Sequence, residues 1–213
     1  MTKIIEVKKP SDIEHAVQEA VLVLAKGGLV AFPTDTVYGL GAHPLIERAV
    51  KKLYEVKGRP EEKALPLLLA DNSQLELAAK TIPEIAHLLA ERFFPGALSL
   101  VLFKSDAIPD WVTGGDAKVA LRLPNHSVPR SLARSLGFPI IGTSANRSGL
   151  PPACDAHEVI EQLGSAIDVL LDGGPCPGGI PSTVLDVTVS PPRILREGTV
   201  SSQDIQLILN GKR

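Results

Sequence analysis

Six polar stretches share one placement in this chain, at or just past the end of an apolar run. They are "PTDTVYG" (33 to 39), "KGRP" (57 to 60), Arg122 with Pro124, "TSANRSG" (143 to 149), "PST" (181 to 183) and "LRE" (195 to 197). Their side chains are small hydroxyls, guanidinium and ammonium groups and one amide, which suits hydrogen bonding and charge stabilisation. In open α/β sheets ligands settle in the crevice at the strand ends, so these segments could line a single crevice. Plainer readings stand beside this one. Thr34 and Thr36 could cap a helix or shape a turn. "KGRP" could be an exposed helix end whose cations answer the helix dipole, "TSAN" an Asn turn, and "PST" a passage from loop to strand. Arg122 is harder to dismiss, because it sits inside "VALRLP", where an unpaired charge is costly. A buried salt bridge is its purely structural alternative.

Other chemistries leave weaker marks. There is no GxxxxGK[ST] loop, and no GxGxxG opens a helix after a strand. "GTSAN" (142 to 146) resembles a GxSxG nucleophile elbow but ends on Asn146, and "RSGLPP" does not start a helix. His15, His43, His87, His126 and His157 offer no clear base partner, so a serine hydrolase is poorly supported. Asp35, Asp172 and Asp186 have no spacing that specifies a metal. Cys154 and Cys176 form no CxxC and have no His at metal-ligand spacing, so no metal ligands are assigned. A disulfide between them stays open.

The elements that must position these groups follow from periodicity. Ile13, Ala16, Val17, Ala20, Val21 and Leu24 predict a first helix, with Ser11 and Glu14 as a capping box and Gly27–Gly28 as its stop. "LVAFP" is then a buried strand. A second helix runs from about Leu45 to "KGRP", where Gly58 and Pro60 oppose continuation. "LPLLLA" (65 to 70) is a strand, helical patterning over 73 to 93 breaks near Pro83, and "FFPGALSLVLF" leads into another strand. "KVALRLP" (118 to 124) is a strand, 128 to 136 a short helix, and "FPIIGTSAN" (138 to 146) a buried strand running into a loop. A helix over about 155 to 163, a strand in "IDVLLDGG", a strand after "PST", "RILRE" and a helix over about 201 to 210 complete the chain. No internal repeat or linker-like tract interrupts it. The expectation is one α/β domain over 1–213, with strands too apolar to be half exposed.

Composition agrees and narrows the partners. Hydrophobic residues are 44% of the 213 but aromatics only 4%, so the core must be Leu, Val, Ile and Ala. The net charge of −2 gives no global positive field for nucleic acid or membrane, so any anion site must be a local cluster of Lys and Arg. The start "MTKIIEVKKPSD" lacks a signal-peptide stretch and no run reaches membrane-spanning length. A reduced cytoplasmic protein is expected.

Taken in order, "PTDTVYGLG", "KGRP", "FPGALSLVL", "VALRLP", "TSANRSG", "PSTVLD" and "ILREG" resemble the threonylcarbamoyl-adenylate synthase family, whose catalytic unit is the YrdC-type domain. The resemblance covers about residues 12 to 200. Some members add a C-terminal domain after a linker, and 213 residues are expected to hold the catalytic domain alone. The resemblance implies conversion of L-threonine, bicarbonate and ATP to threonylcarbamoyl-AMP and pyrophosphate. The product would pass to a separate transferase complex that modifies tRNA, with room for weak tRNA binding by this chain and no membrane partner. It implies a single twisted, mostly mixed sheet flanked by helices around a concave, cation-lined cavity. By motif position Thr36, Arg122, Ser144 and Ser182 would contact threonine, with Thr34 and Lys57 close by. Arg59, Lys63, Asn146 and Arg196 would contact ATP, as would Lys118 and Cys154, and Mg²⁺ would accompany the triphosphate. Lys57 and Arg59 are the implied catalytic cations. Two positions depart from relatives: Leu68 stands where some carry a threonine-contacting His, and Cys154 where Ser or Thr is common.

The small hydroxyls then have a physical purpose. They can read threonine's polar groups while leaving its nitrogen free to attack carbon dioxide or bicarbonate. The resulting N-carboxylate must attack the α-phosphorus, and two anions approach only among fixed cations. Two rivals were weighed. A non-enzymatic RNA-binding module lacks support from aromatics, charge or an RNP-like block. The carbamoyl-transfer domain of hydrogenase maturation normally belongs to a long chain with zinc-binding cysteines.

Overall fold

The computed structural model describes residues 1–211, so the last two residues of the expected domain lie outside the described residues. The elements in chain order are β1 (Lys3–Glu6), α1 (Pro10–Ala25), β2 (Val30–Phe32), β3 (Gly39–Gly41), α2 (Glu47–Lys57), β4 (Leu67–Leu68) and α3 (Ser73–Ala78). There follow α4 (Glu84–Phe93), β5 (Leu98–Phe103), α5 (Asp110–Thr113), β6 (Lys118–Arg122), α6 (Ser127–Leu136), β7 (Ile140–Ile141) and β8 (Thr143–Ser144). The chain closes with α7 (Ala156–Leu163), a 3₁₀ turn at Gly164–Ala166, β9 (Val169–Asp172), β10 (Thr183–Asp186), β11 (Arg193–Arg196) and α8 (Ser202–Asn210).

The α/β class and the mixed strand directions are as expected, but the strands form two sheets rather than one. The first has the order β1-β9-β2-β3-β8 and the second β11-β10-β5-β6-β4-β7. The reason lies in "FPIIGTSAN", expected as a single strand. Ile140 and Ile141 pair with β4 in the second sheet, whereas Thr143 and Ser144 pair with β3 in the first. Gly142 is the crossing point. A Cβ there would fall 2.3 Å from Leu68 Cδ1, so only glycine lets the backbone pass this close to β4.

Three further corrections concern local structure. The first helix begins at Pro10, and it is Asp12 that reaches back to the amides of Lys8 (3.1 Å) and Lys9 (2.9 Å), not Ser11 with Glu14. Proline at the first helical position fixes φ there, and the cap is Lys9, two residues upstream of Ser11. The opening motif is not all turn, because its "GLG" forms β3, antiparallel to β2. Strand β1 and helix α5 were not foreseen: β1 has a single parallel neighbour, and α5 is four residues long.

Helix ends are set by ordinary chemistry. Gly58 at φ 58° closes α2, leaving Lys57 and Arg59 at its mouth. Asp155 Oδ1 accepts from the Glu158 amide at 2.8 Å to start α7, and Ser201 Oγ accepts from Asp204 at 3.1 Å to start α8. Helices α1 and α6 pack on each other, and α1 also covers β1, β2 and β9. Leu, Val, Ile and Ala dominate both core clusters, as the low aromatic content requires. Phe32 is the exception that shapes β3. Its ring is fully buried, and Cβ atoms added at Gly39 or Gly41 would each fall 2.6 Å from ring carbons.

This contact generates a stability prediction. Gly39→Ala should lose about 1–3 kcal/mol, the usual range for forcing a methyl into a packed core. In the Gly39→Ala background, Phe32→Leu should cost less than it does in the wild type, because the smaller side chain vacates the clash. Urea unfolding of the four proteins checks this, and strict additivity would show that the ring is not the obstacle.

Candidate active site

A cavity of about 490 Å³ opens between the two sheets. Its floor is one face of the second sheet. The register pairs Val101 with Ala120, Val184 with Ser99 and Asp186 with Val101. Because side chains alternate, Ser99, Val101, Lys118, Ala120, Arg122, Val184 and Asp186 share the cavity face. Leu98, Leu100, Leu102, Val119, Leu121 and Leu185 turn into the core. The opposite wall comes from the β2–β3 loop and the seam of β3 with β8, which contribute Thr34, Thr36, Gly39, Thr143 and Ser144.

Arg122 is only 6% exposed, and its donors are matched by separate parts of the chain. Nε donates to the Gly96 carbonyl at 2.9 Å, Nη1 to Thr36 Oγ1 at 3.0 Å, and Nη2 to Asp35 Oδ1 at 2.5 Å. Burial pushes its pKa below the usual range, and the Asp35 carboxylate partly restores it. Arginine remains charged through such a shift. The salt bridge suggested by its place in "VALRLP" therefore exists, and Arg122 also lines the cavity.

The threonine hydroxyls are ordered by their single protons. Thr34 Oγ1 donates to the Val37 carbonyl at 2.7 Å and accepts from the Thr36 amide at 3.0 Å. Thr34 has then spent its proton, so the 3.1 Å contact with Thr36 Oγ1 must use the proton of Thr36. Thr36 Oγ1 also accepts from Arg122, which leaves one lone pair for the cavity. A ligand atom meeting Thr36 must bring its own proton. Across the floor, Ser182 Oγ lies 2.9 Å from Ser99 Oγ, and both residues are buried. Arg196 clamps this pair by donating to the Ser182 carbonyl from Nη2 (2.7 Å) and Nε (3.1 Å), and to Ser182 Oγ at 3.2 Å.

Arg59 lines the same cavity and is braced by the carbonyls of Lys63 (3.2 Å) and Ala64 (2.8 Å). Burial lowers the pKa of both Arg59 and Arg196, and Arg196 is lowered further by the Arg59 charge. Among the described residues neither makes an ion pair with a carboxylate. Lys118 lies farther along the floor, with Nζ 3.1 Å from Asp186 Oδ2. The cavity thus brings cationic and hydroxyl side chains together, although the chain as a whole carries a charge of −2.

Eight of the twelve sequence-derived site residues line this cavity: Thr34, Thr36, Arg59, Lys118, Arg122, Ser144, Ser182 and Arg196. Lys57, Lys63, Asn146 and Cys154 do not. Lys57 is 3% exposed, and its ammonium donates to the carbonyls of Ser144 (2.5 Å) and Asn146 (2.7 Å), stitching the end of α2 to the "TSAN" segment. Lys63 is exposed, and its backbone carbonyl is what braces Arg59. Asn146 directs its amide to the carbonyls of Arg147 (3.0 Å) and Leu150 (2.7 Å), leaving Oδ1 buried and unpaired. Cys154 is half-buried, and its carbonyl accepts from the Cys176 amide at 2.7 Å. Both cysteines are free thiols, and burial pushes Cys176 up to about 11.

Sequence reasoning missed Ser99 and the apolar floor of Val101, Ala120 and Val184. The signal was available in the two-residue spacing from Arg122 back to Ala120 and Lys118, but one strand does not say which face is open. Asp35 and Asp186, noted as carboxylates without a metal pattern, serve as the partners of Arg122 and Lys118. No group of three or more His, Cys, Asp or Glu is arranged to hold a metal among the described residues.

The buried Lys57 makes stability depend on pH. Burial, aided by Arg59, pushes it from its ordinary 10.5 down to about 8. The unfolded chain thus binds one more proton than the folded chain between these values, and stability from this group rises with pH across that window. Lys57→Met removes the effect while keeping a similar volume. From pH 8 to pH 10 the wild type should gain about 2 kcal/mol over the variant. Urea unfolding at both pH values measures this, and a constant difference would refute it.

The fold and site have clear relatives. Residues 22–198 match the Sua5_yciO_yrdC family model, described as telomere recombination. A threonylcarbamoyl-AMP synthase of Pyrococcus abyssi is 44% identical over 209 residues, covering 98% of this chain and 61% of the relative. A Bacillus subtilis protein of the same name is 43% identical over 194 residues, covering 91% of this chain and 56% of the relative. The crystal structure of P. abyssi Sua5 complexed with L-threonine superposes with a TM-score of 0.92 at 43% identity, over 98% of this chain and 61% of that one. The chain therefore spans about three fifths of the length of these relatives. With residues 22–198 matched by the family model and the fold superposing on the archaeal structure, the chain belongs to the Sua5/YciO/YrdC family.

Proposed function

We propose that this chain makes L-threonylcarbamoyl adenylate from L-threonine, bicarbonate and ATP, with release of pyrophosphate. The observation that carries the reading is one cavity in which Thr36, Arg122, Ser144 and Ser182 line the same space as Arg59, Arg193 and Arg196, none of which has a carboxylate partner among the described residues. The archaeal relative's complex with L-threonine supports an amino-acid substrate. Thr36, acceptor-only toward the cavity, suits the hydroxyl or amine of threonine, and Arg122 suits its carboxylate. Arg59 and Arg196 suit the phosphates, with Lys118 farther along the floor.

In the proposed reaction the neutral amine of threonine attacks the carbon of bicarbonate with loss of water, or that of carbon dioxide with loss of a proton from the nitrogen, and either route gives the carbamate. A carboxylate oxygen of the resulting carbamate then forms a bond to the α-phosphorus while the bond to the β-phosphate bridging oxygen breaks. No protein nucleophile is needed. The chain contributes alignment of the two anions and fixed positive charge at the oxygens where charge develops. Lys57 acts one layer behind the cavity, holding Ser144 and Asn146 in place. Asn146 Oδ1 is buried and unpaired outside the cavity lining, so its contact with ATP would require the "TSAN" segment to shift. Mg²⁺ would arrive with the triphosphate, supplying charge neutralisation. The donor set fits a phosphate-borne ion better than a protein cage, since Asp186 is already occupied by Lys118 and Thr188. The product would pass to a separate tRNA-modifying transferase, which makes a cytoplasmic location and weak contact with tRNA natural.

Pyrophosphate release, measured with each substrate omitted in turn, tests the reading. Release is expected only when threonine, bicarbonate and ATP are all present. Full-rate release with ATP alone, or carbamoyl phosphate replacing bicarbonate, would sink it.

Substrate choice gives a finer test. Serine keeps the hydroxyl and loses one methyl, a difference of about 1–3 kcal/mol. Valine replaces the hydroxyl with a methyl and leaves buried hydrogen-bonding groups unpaired, a heavier loss. At saturating ATP and bicarbonate, kcat/KM should fall in the order threonine, serine, valine. Valine equal to or better than serine would show that these hydroxyls do not read the substrate.

A further inference from the structure

Asp35 is the one charged residue of the "PTDTVYG" stretch, and it does not line the cavity. Its carboxylate nevertheless makes a 2.5 Å ion pair with Arg122, with side-chain exposures of 14% and 7%. A guanidinium has five N–H groups. In Arg122 three are engaged, by Gly96, Thr36 and Asp35, and one remains on each terminal nitrogen. These unspent donors are what Arg122 can offer to the oxygens of a carboxylate.

We infer that Asp35 is a positioning residue for the amino-acid substrate: it fixes the plane of the Arg122 guanidinium so that its two unspent donors receive the substrate carboxylate. This rests on the synthase reading above. Asp35 is the ionic anchor of the three, and it has a second consequence. Arg122 is charge-balanced by Asp35, whereas the other arginines of the cavity, Arg59, Arg193 and Arg196, have no carboxylate partner among the described residues. A triphosphate is therefore drawn toward the unpaired arginines, and Arg122 stays available to the smaller, singly charged carboxylate. Asp35 sorts the two anions as well as orienting one of them.

The test uses calorimetric binding of L-threonine, L-threoninamide and ATP to the full chain. The amide keeps the hydroxyl and ammonium and loses only the carboxylate charge and geometry. The wild type should prefer threonine over its amide by about tenfold or more, the worth of a charge-assisted hydrogen bond. In Asp35→Ala that preference should shrink to about twofold or less, with ATP affinity within about twofold of wild type. Asp35→Asn keeps an acceptor for Nη2 without the charge, should show an intermediate preference, and decides the matter if the alanine variant does not fold. An undiminished preference in either folded variant overturns the inference. So does a parallel loss of ATP affinity, which would mean general collapse of the site. A wild type that fails to bind threonine at all would overturn the synthase reading, and the inference with it.

Discussion

A guanidinium can be kept from water only where its donors are matched, and Arg122 finds its matches on both sides of a seam. It belongs to β6 of the second sheet, while Asp35 and Thr36 belong to the loop joining β2 and β3 of the first. The Gly96 carbonyl that receives Nε is itself tied to β6, since the Gly96 amide donates to the Leu123 carbonyl at 2.8 Å. One buried cation thus fixes a loop of one sheet over the face of the other. Taking away either member of such a pair leaves an uncompensated charge, which is far more disruptive than loss of a surface ion pair. The cavity lies between the two sheets, and Arg122 ties them together at its wall.

Glycine does the complementary work along the same seam. Gly142 lets one strand segment leave the second sheet and join the first beside Leu68. Gly39 and Gly41 flank the Phe32 ring, so β3 can lie against a large side chain without being displaced. The departure at Leu68 fits this geometry, because its side chain occupies the space that a Cβ at Gly142 would claim. A residue of another shape there would have to negotiate with the crossing point as well as with any ligand.

Much of this was legible in the sequence, and the parts that were not share a cause. Periodicity finds what a segment buries, so α1, α2, α4, α6 and α7 and the apolar cores of β2, β5, β6 and β9 stood out. Periodicity does not find partners. Ile140 to Ser144 looked like one strand because nothing in five residues says that its halves pair with different neighbours. The charge inside "VALRLP" announced a buried partner without naming Asp35, which is 87 positions away. The ordered motifs located the polar groups of the site, but not which atom of each is engaged. Lys57 illustrates the limit: its place at a helix end suggested a free cation, and its ammonium is instead committed to two backbone carbonyls.

That commitment bears on how the proposed chemistry can be driven without a protein nucleophile or a protein metal cage. Charge is useful in such a site only if it does not have to reorganise when the transition state forms. Arg196 is clamped on the Ser182 backbone, Arg59 on the carbonyls of Lys63 and Ala64, and Arg122 on Asp35, Thr36 and Gly96. Each guanidinium therefore has its plane set before a substrate arrives, by acceptors already in place in the folded chain. The flexible cation, Lys57, is the one withdrawn behind the wall to hold the loop that carries Ser144. Burial and mutual repulsion make the cluster costly to assemble. The same repulsion is relieved when anions enter, so the energy stored against folding becomes attraction for a triphosphate and a carboxylate.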